Sequence, residues 1–168
     1  SHAGRFQPNQ EDKAIIMGFL QTCRLPRGGN HSAWVRVYVL NMESSDLTPL
    51  STTHPLYYAT LFGLRHIVEI ILQEDKHVDV NAVGGRMGCT PLFIACWREY
   101  YDIASLLFRA GADASLSDQS TGFTPPMLLF NWRAENPEAQ KLLRAMDPRM
   151  TSAWGSKKIR ALKDYWAW

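Results

Sequence analysis

Thr90-Pro91-Leu92 has two counterparts in this 168-residue chain: His54-Pro55-Leu56 starts 36 residues before it and Thr124-Pro125-Pro126 starts 34 residues after it. The agreement continues downstream of each start. Ala95 falls on Ala59 and on Leu129, Ile103-Ala104 falls on Ile67-Val68, and Leu106-Leu107 falls on Ile70-Ile71. After a two-residue insertion the same pair falls on Leu142-Leu143, and Asp113-Ala114-Ser115 matches Asp79-Val80-Asn81. A period of this length constrains the fold more than any composition value, because each unit is too small to bury its own apolar face and must stack on its neighbours.

The residue types explain what each unit does. A proline at the first helical position has no N–H to leave unpaired, and its φ is already helical. The Thr before it can accept hydrogen bonds from the first free amides as an N-cap. Small Ala59 and Ala95 let helices approach closely. Leu56, Ile67, Ile70 and Ile71 make one apolar stripe across a helix pair, as do Leu92, Ile103, Leu106 and Leu107. Gly111 can take the left-handed conformation that ends a helix. Val83–Gly88 and Ser117–Gly122 are rich in turn residues and predict projecting hairpin loops.

Thr-Pro-Leu, a mid-helix Ala, a Leu/Ile pair near the end of a second helix and Gly-Ala-Asp together resemble the ankyrin repeat. The middle copy carries the most of this pattern: Thr90, Pro91, Leu92, Ala95, Leu106, Leu107, Gly111, Ala112 and Asp113. The first copy has Pro55, Leu56, Ala59, Gly63, Asp79, Asn81 and Ala82, with two extra residues near Lys76-His77. The third is degenerate: Pro126 replaces the Leu, Asn136-Pro137 lengthens the inter-helix turn, and Asp147-Pro148 replaces Gly-Ala. The resemblance implies an all-α, ankyrin-type helical solenoid with short hairpin loops and helical flanking caps. Its repeats would occupy 53–88, 89–122 and 123–148. "SAWVRVY" followed by "HPLYYATLFGL" is also loosely similar to the ankyrin segments of large fungal immune-receptor-like proteins, which implies a piece that senses or scaffolds within a bigger chain.

The flanks follow other patterns. Residues 1–9 read as a tag scar and a disordered N-terminus, and 10–52 as an N-terminal helical cap and linker. Gln10–Cys23 predicts a helix with Ala14, Ile15, Phe19 and Leu20 as its apolar face. Ser32–Asn41 alternates as a strand would, yet a stack needs a helical cap there, and helix is the favoured reading. Residues 149–168 predict a capping helix. Over Ser156–Trp166, Ile159, Leu162 and Trp166 share one side, and Lys157, Lys158, Arg160 and Lys163 occupy much of the rest. A basic amphipathic helix also suits a junction to further sequence, or contact with a membrane surface or an acidic partner.

Several function classes lose support. A net charge of +2 is too balanced for a nucleic-acid-binding surface, and no apolar run is long enough to cross a membrane. Three cysteines (Cys23, Cys89, Cys96) without a secretory signal suggest reduced thiols and a cytoplasmic location. There is no phosphate-binding glycine loop, no zinc-protease motif and no nucleophile elbow. Cys89 and Cys96 are seven apart, which is not a metal-ligand spacing. Cys96 reads as packing, His54 as a helix cap, and His66 and His77 as histidines without a sequence-local partner. Glu74-Asp75 reads as a solvated turn. No catalytic residue, metal or cofactor is expected.

The positions left over by stacking are the informative ones. Ankyrin resemblance implies a concave face built from the last turn of each first helix and the hairpin tips. Two positions precede each inter-helix turn: Leu61 and Phe62, Trp97 and Arg98, Asn131 and Trp132. Arg86, Met87, Gln119 and Ser120 border them on the hairpins. A solvated ridge would carry polar residues, whereas aromatic residues with an Arg are the types enriched at binding hot spots. The expected role is therefore a protein-interaction module, a scaffold or sensor segment, with another protein as partner and a monomer or weak oligomer as its own state. Two alternatives remain open: a small-molecule-binding protein or unorthodox enzyme with an aromatic-walled pocket, and a structural spacer whose aromatic residues are covered internally. Tyr100 and Tyr101 read as braces for the inter-helix turn.

Overall fold

A computed structural model describes residues 9–21, 53–85 and 88–148. Seven helices occur among them: α1 Gln10–Gln21, α2 Pro55–Leu61, α3 Arg65–Glu74, α4 Pro91–Trp97, α5 Tyr101–Arg109, α6 Pro125–Trp132 and α7 Pro137–Met146. The predicted helix or strand over 32–41 and the C-terminal helix lie outside the described residues.

The prolines and their preceding residues start the first helices as their chemistry requires. Thr90 accepts from the Phe93 amide at 3.2 Å and Thr124 from the Met127 amide at 3.4 Å. His54 substitutes for Thr: its Nδ1 accepts from the Leu56 amide at 3.1 Å. In the third pair Asn136-Pro137 does more than lengthen a turn. Asn136 caps α7, accepting from the Glu138 and Ala139 amides at 2.9 and 3.2 Å.

The inter-helix turns close with paired backbone bonds that require a left-handed residue. Leu64 N–H reaches Ala59 C=O at 2.8 Å around Gly63 (φ 68°), and Tyr100 N–H reaches Ala95 C=O at 2.9 Å around Glu99 (φ 63°). Glycine takes that conformation without strain; Glu99 takes it at a cost. Tyr100 braces the first turn, since a Cβ on Gly63 would stand 2.9 Å from its ring. Tyr101 reaches back to Glu99, its hydroxyl 3.5 Å from the carboxylate.

The pairs stack in two layers. α2, α4 and α6 pack in that order, α3, α5 and α7 pack in that order, and each first helix packs on its own partner. α1 packs on α3. The core between the layers contains Leu56, Val68, Ile71, Leu92, Ile94, Ile103, Leu107, Leu128, Leu129, Leu142 and Leu143. Ala59, Ala95, Ala104 and Ala139 are buried where the backbones come close. The predicted hairpins form: Gly84 and Cys89 make an antiparallel bridge, and the Asp118 amide donates to Phe123 C=O at 2.9 Å. Gln119 N–H donates to Gly88 C=O at 3.2 Å and Asp113 N–H to Asn81 Oδ1 at 2.8 Å, so hairpins and turns are tied across the repeat boundary.

Four expectations change. Leu106 and Ile67 are half-buried on the edge of the stripe, because the helix turn puts Leu107 and Ile71 at its centre. Of the predicted α1 face, Ala14 is exposed and Ile15 is 71% exposed. Lys13 and Met17 are half-buried, and Lys13 pairs with Glu74 at 3.6 Å. His66 has a local partner, Glu69, with Nδ1 3.3 Å from the carboxylate, one helical turn away. Asp75 is half-buried, 3.9 Å from His54 Nε2, rather than solvated.

Candidate functional site

The residues preceding the inter-helix turns differ from pair to pair. Leu61 and Phe62 at the end of α2 are half-buried and pack on the core, with the Phe62 ring stacked on Tyr58 at 6.5 Å. At the end of α4, Trp97 is 41% exposed, and the exposed Arg98 holds its guanidinium 5.3 Å from the Trp97 ring centroid. That is cation–π range, and it orders a long cation beside an apolar surface. At the end of α6, Asn131 is half-buried and Trp132 is 45% exposed. The Trp132 ring sits 5.1 Å from Phe123 of the preceding hairpin, tilted by 53°. Covering by internal packing therefore holds for Leu61 and Phe62, while the two tryptophans keep much of their surface in solvent.

Arg86 and Met87 lie outside the described residues. Gln119 and Ser120 are exposed on the second hairpin. The Gln119 side chain lies over Gly88, where an added Cβ would stand 2.5 Å from its amide oxygen. Ser120 donates through Oγ and N–H to the Asp118 carboxylate.

Sequence reasoning missed Asp118, Phe123, Glu99 and Arg133. Asp118 is buried and accepts from the amides of Ser120, Thr121 and Phe123 at 3.1, 2.9 and 3.1 Å, and from the hydroxyls of Ser120 and Thr121. Burial alone would raise its pKa; the donated hydrogen bonds outweigh that and hold it below the ordinary carboxylate value. Arg133 donates to Glu99 at 2.7 Å and to Trp132 C=O at 3.0 Å. That pair joins the second turn to the third and fixes the end of α6, on which Trp132 stands. Glu99 was legible only as an oddity, standing where the first copy has Gly63.

Arg65 bonds Glu69 at 3.0 Å and Asp102 at 3.1 Å, linking α3 to α5, and the Glu69 hydrogen bond raises its pKa further. Among the described residues Arg98 makes no ion pair and offers its charge to solvent.

The buried polar groups are poor nucleophiles. Burial pushes the Cys96 thiol far up and the Cys89 thiol up to about 11. Burial likewise raises the Tyr57 hydroxyl, which lies 3.7 Å from Cys89 Sγ, and holds Tyr58 at about 12. Among the described residues no group of three His, Cys, Asp or Glu side chains converges as metal ligands would, and no helix is long and apolar enough to cross a membrane.

A family model described as ankyrin repeats, three copies, matches residues 28–118, which is 91 of the 168 residues. The match begins ahead of α2 and ends before α6, although α6 and α7 repeat the arrangement of the pairs before them. No curated protein matches the chain.

Proposed function

The chain belongs to the ankyrin-repeat family, and from that premise we propose that it binds another protein through the ridge formed by the ends of α4 and α6 and the second hairpin. Ankyrin repeats are generally protein-interaction modules. One observation carries this site: Trp97 and Trp132 stand on adjacent first helices of the stack, each more than two-fifths exposed, at positions the stacking does not use. A half-exposed Trp costs solvation in the free protein and recovers it when a partner covers the ring. Arg98 adds a positive charge that its own Trp orients, and Gln119 and Ser120 supply a polar rim. Leu61 and Phe62 serve as the packed base of the ridge rather than as anchors. In this reading the chain is a scaffold or sensor segment. The reduced state of its buried thiols suits an intracellular compartment.

The test is Trp97→Ala combined with Arg98→Ala, used as bait in a pull-down from native lysate. Partner recovery should fall sharply while the helical circular dichroism stays at the wild-type level. Unchanged recovery with an intact fold sinks the assignment.

A further inference from the structure

Arg98 is exposed, and its guanidinium lies 5.3 Å from the Trp97 ring centroid. The ring orders the side chain without neutralising it, and among the described residues no carboxylate meets the guanidinium. The charges around it are used within the fold. Arg133, one residue after Trp132, donates to Glu99 at 2.7 Å, and Arg65 pairs with Asp102 at 3.1 Å. Asp118 is 1% exposed and accepts five hydrogen bonds from its own hairpin. Glu99 holds Arg133 from a left-handed φ of 63°, where the first copy uses Gly63. Glycine there would avoid the strain but would leave Arg133 without its carboxylate, a second open cation. The ridge therefore offers two part-exposed indoles and one open positive charge. It does so on a stack whose residues 53–148 hold 8 basic and 11 acidic side chains (net −3).

Resting on the reading of the Trp97–Trp132 ridge as the binding surface, we propose that its occupant is an acidic peptide segment of the partner: a carboxylate pairs with Arg98, and an apolar side chain near it covers Trp132. A guanidinium is a planar fork that matches a carboxylate with two parallel hydrogen bonds, and one already ordered by Trp97 loses less freedom on pairing. Charge decides between the possible anions. A nucleic acid or an anionic lipid surface presents rows of phosphates and needs several cations, and a single Arg on a stack of net −3 repels such a surface more than it holds it. One carboxylate among apolar side chains meets the one cation and the two rings, and brings no further negative charge. Direction follows from Glu135, exposed in the turn after α6. Its like charge keeps the acidic residue at the α4 end and leaves the apolar residue to Trp132. Packed helices lie about 8–10 Å apart, which an extended chain covers in roughly three residues, so the acidic and apolar side chains of the partner stand about three residues apart.

The experiment is selection of a displayed library of random dodecapeptides on the full chain, followed by binding of a synthetic peptide from the selected pool, read by fluorescence anisotropy. The wild-type pool should be enriched in Asp and Glu near a large apolar residue. The selected peptide should bind the Arg98→Glu variant about ten-fold or more weakly than wild type, and its analogue with Asn and Gln in place of Asp and Glu should lose a similar factor on wild type, the loss of one charge-assisted pair. Arg98 is exposed, so the variant should keep the wild-type helical circular dichroism. A wild-type pool without acidic enrichment, or a selected peptide that Arg98→Glu binds equally well, overturns the proposal. The surface and its occupant fail separately. A selected peptide that ignores charge but is weakened by Trp132→Ala leaves the ridge standing and refutes the acidic occupant. One that neither Trp97→Ala nor Trp132→Ala weakens refutes the ridge and the proposal with it. A random single-stranded DNA oligonucleotide that displaces the peptide and binds wild type more tightly would assign Arg98 to a polyanion and overturn the proposal as well.

Discussion

Replacing Asp118 by Ala removes a carboxylate that is 1% exposed and accepts five hydrogen bonds within six residues of chain. The loss is smaller than five separate bonds. Ser120 and Thr121 are exposed, so their amides and hydroxyls return to water, and Phe123 is only half-buried. What remains is a charged acceptor lost from a buried position and a hairpin whose second strand is no longer pinned, worth about 2–3 kcal/mol. With a urea m-value near 2 kcal/mol/M, the unfolding midpoint should drop by roughly 1 M. The pH dependence follows from the direction of the shift. The folded pKa is depressed, so this stabilisation is full above the ordinary carboxylate value near 3.9 and is lost as pH falls through the folded value below it. The gap between wild type and Asp118→Ala should therefore be constant from pH 5 to 7 and narrow below about pH 4. Gly84 stands at the equivalent place in the first hairpin and needs no carboxylate. Thr53 Oγ1 accepts from the Gly85 amide at 3.2 Å there, and a Cβ on Gly84 would meet Thr53 Cγ2 at 2.3 Å. A drop in stability below about 1 kcal/mol for Asp118→Ala, or a gap that widens on acidification, would refute this reasoning.

Leu107→Ala should cost about 3–5 kcal/mol, three lost carbons plus a cavity, and Leu106→Ala about 1 kcal/mol because Leu106 is already half in water; equal losses in urea titrations would mean the helix face is wrongly placed. Cys89 and Cys96 should resist a maleimide reagent at pH 7.5 in the folded protein and react together once it is denatured, as read by peptide mass spectrometry, and rapid labelling of Cys89 in the native state would contradict its raised pKa.

Much of the stack was legible because its signals are local. Thr90, Thr124 and the helix-starting prolines act within one turn of themselves, and Ala59 and Ala95 sit where a larger side chain would hold the layers apart. The third copy was legible as degenerate, yet it folds like the others. Pro126 fills the Leu site as a buried apolar residue, and Asn136 compensates for the altered turn by capping α7. The misses have a common origin in distance. Whether Leu106 or Leu107 faces the core depends on the rotation of α5 against α3 and α7, which a stripe two residues wide does not resolve. The split between packed Leu61 and Phe62 and exposed Trp97 and Trp132 depends on which ring finds a neighbour, as Phe62 finds Tyr58. The Glu99–Arg133 pair joins two repeats across 34 residues, and no spacing rule announces it.

The central claim is that this stack recognises its partner with Trp97 and Trp132. Each of the six tryptophans gives one indole N–H signal, which makes them separate reporters in a single nuclear magnetic resonance spectrum. On addition of the protein recovered by the wild-type bait, the Trp97 and Trp132 indole signals should shift or broaden together at substoichiometric partner, ahead of Trp34, Trp154, Trp166 and Trp168. Saturating partner that leaves Trp97 and Trp132 unmoved while another indole responds would contradict the account.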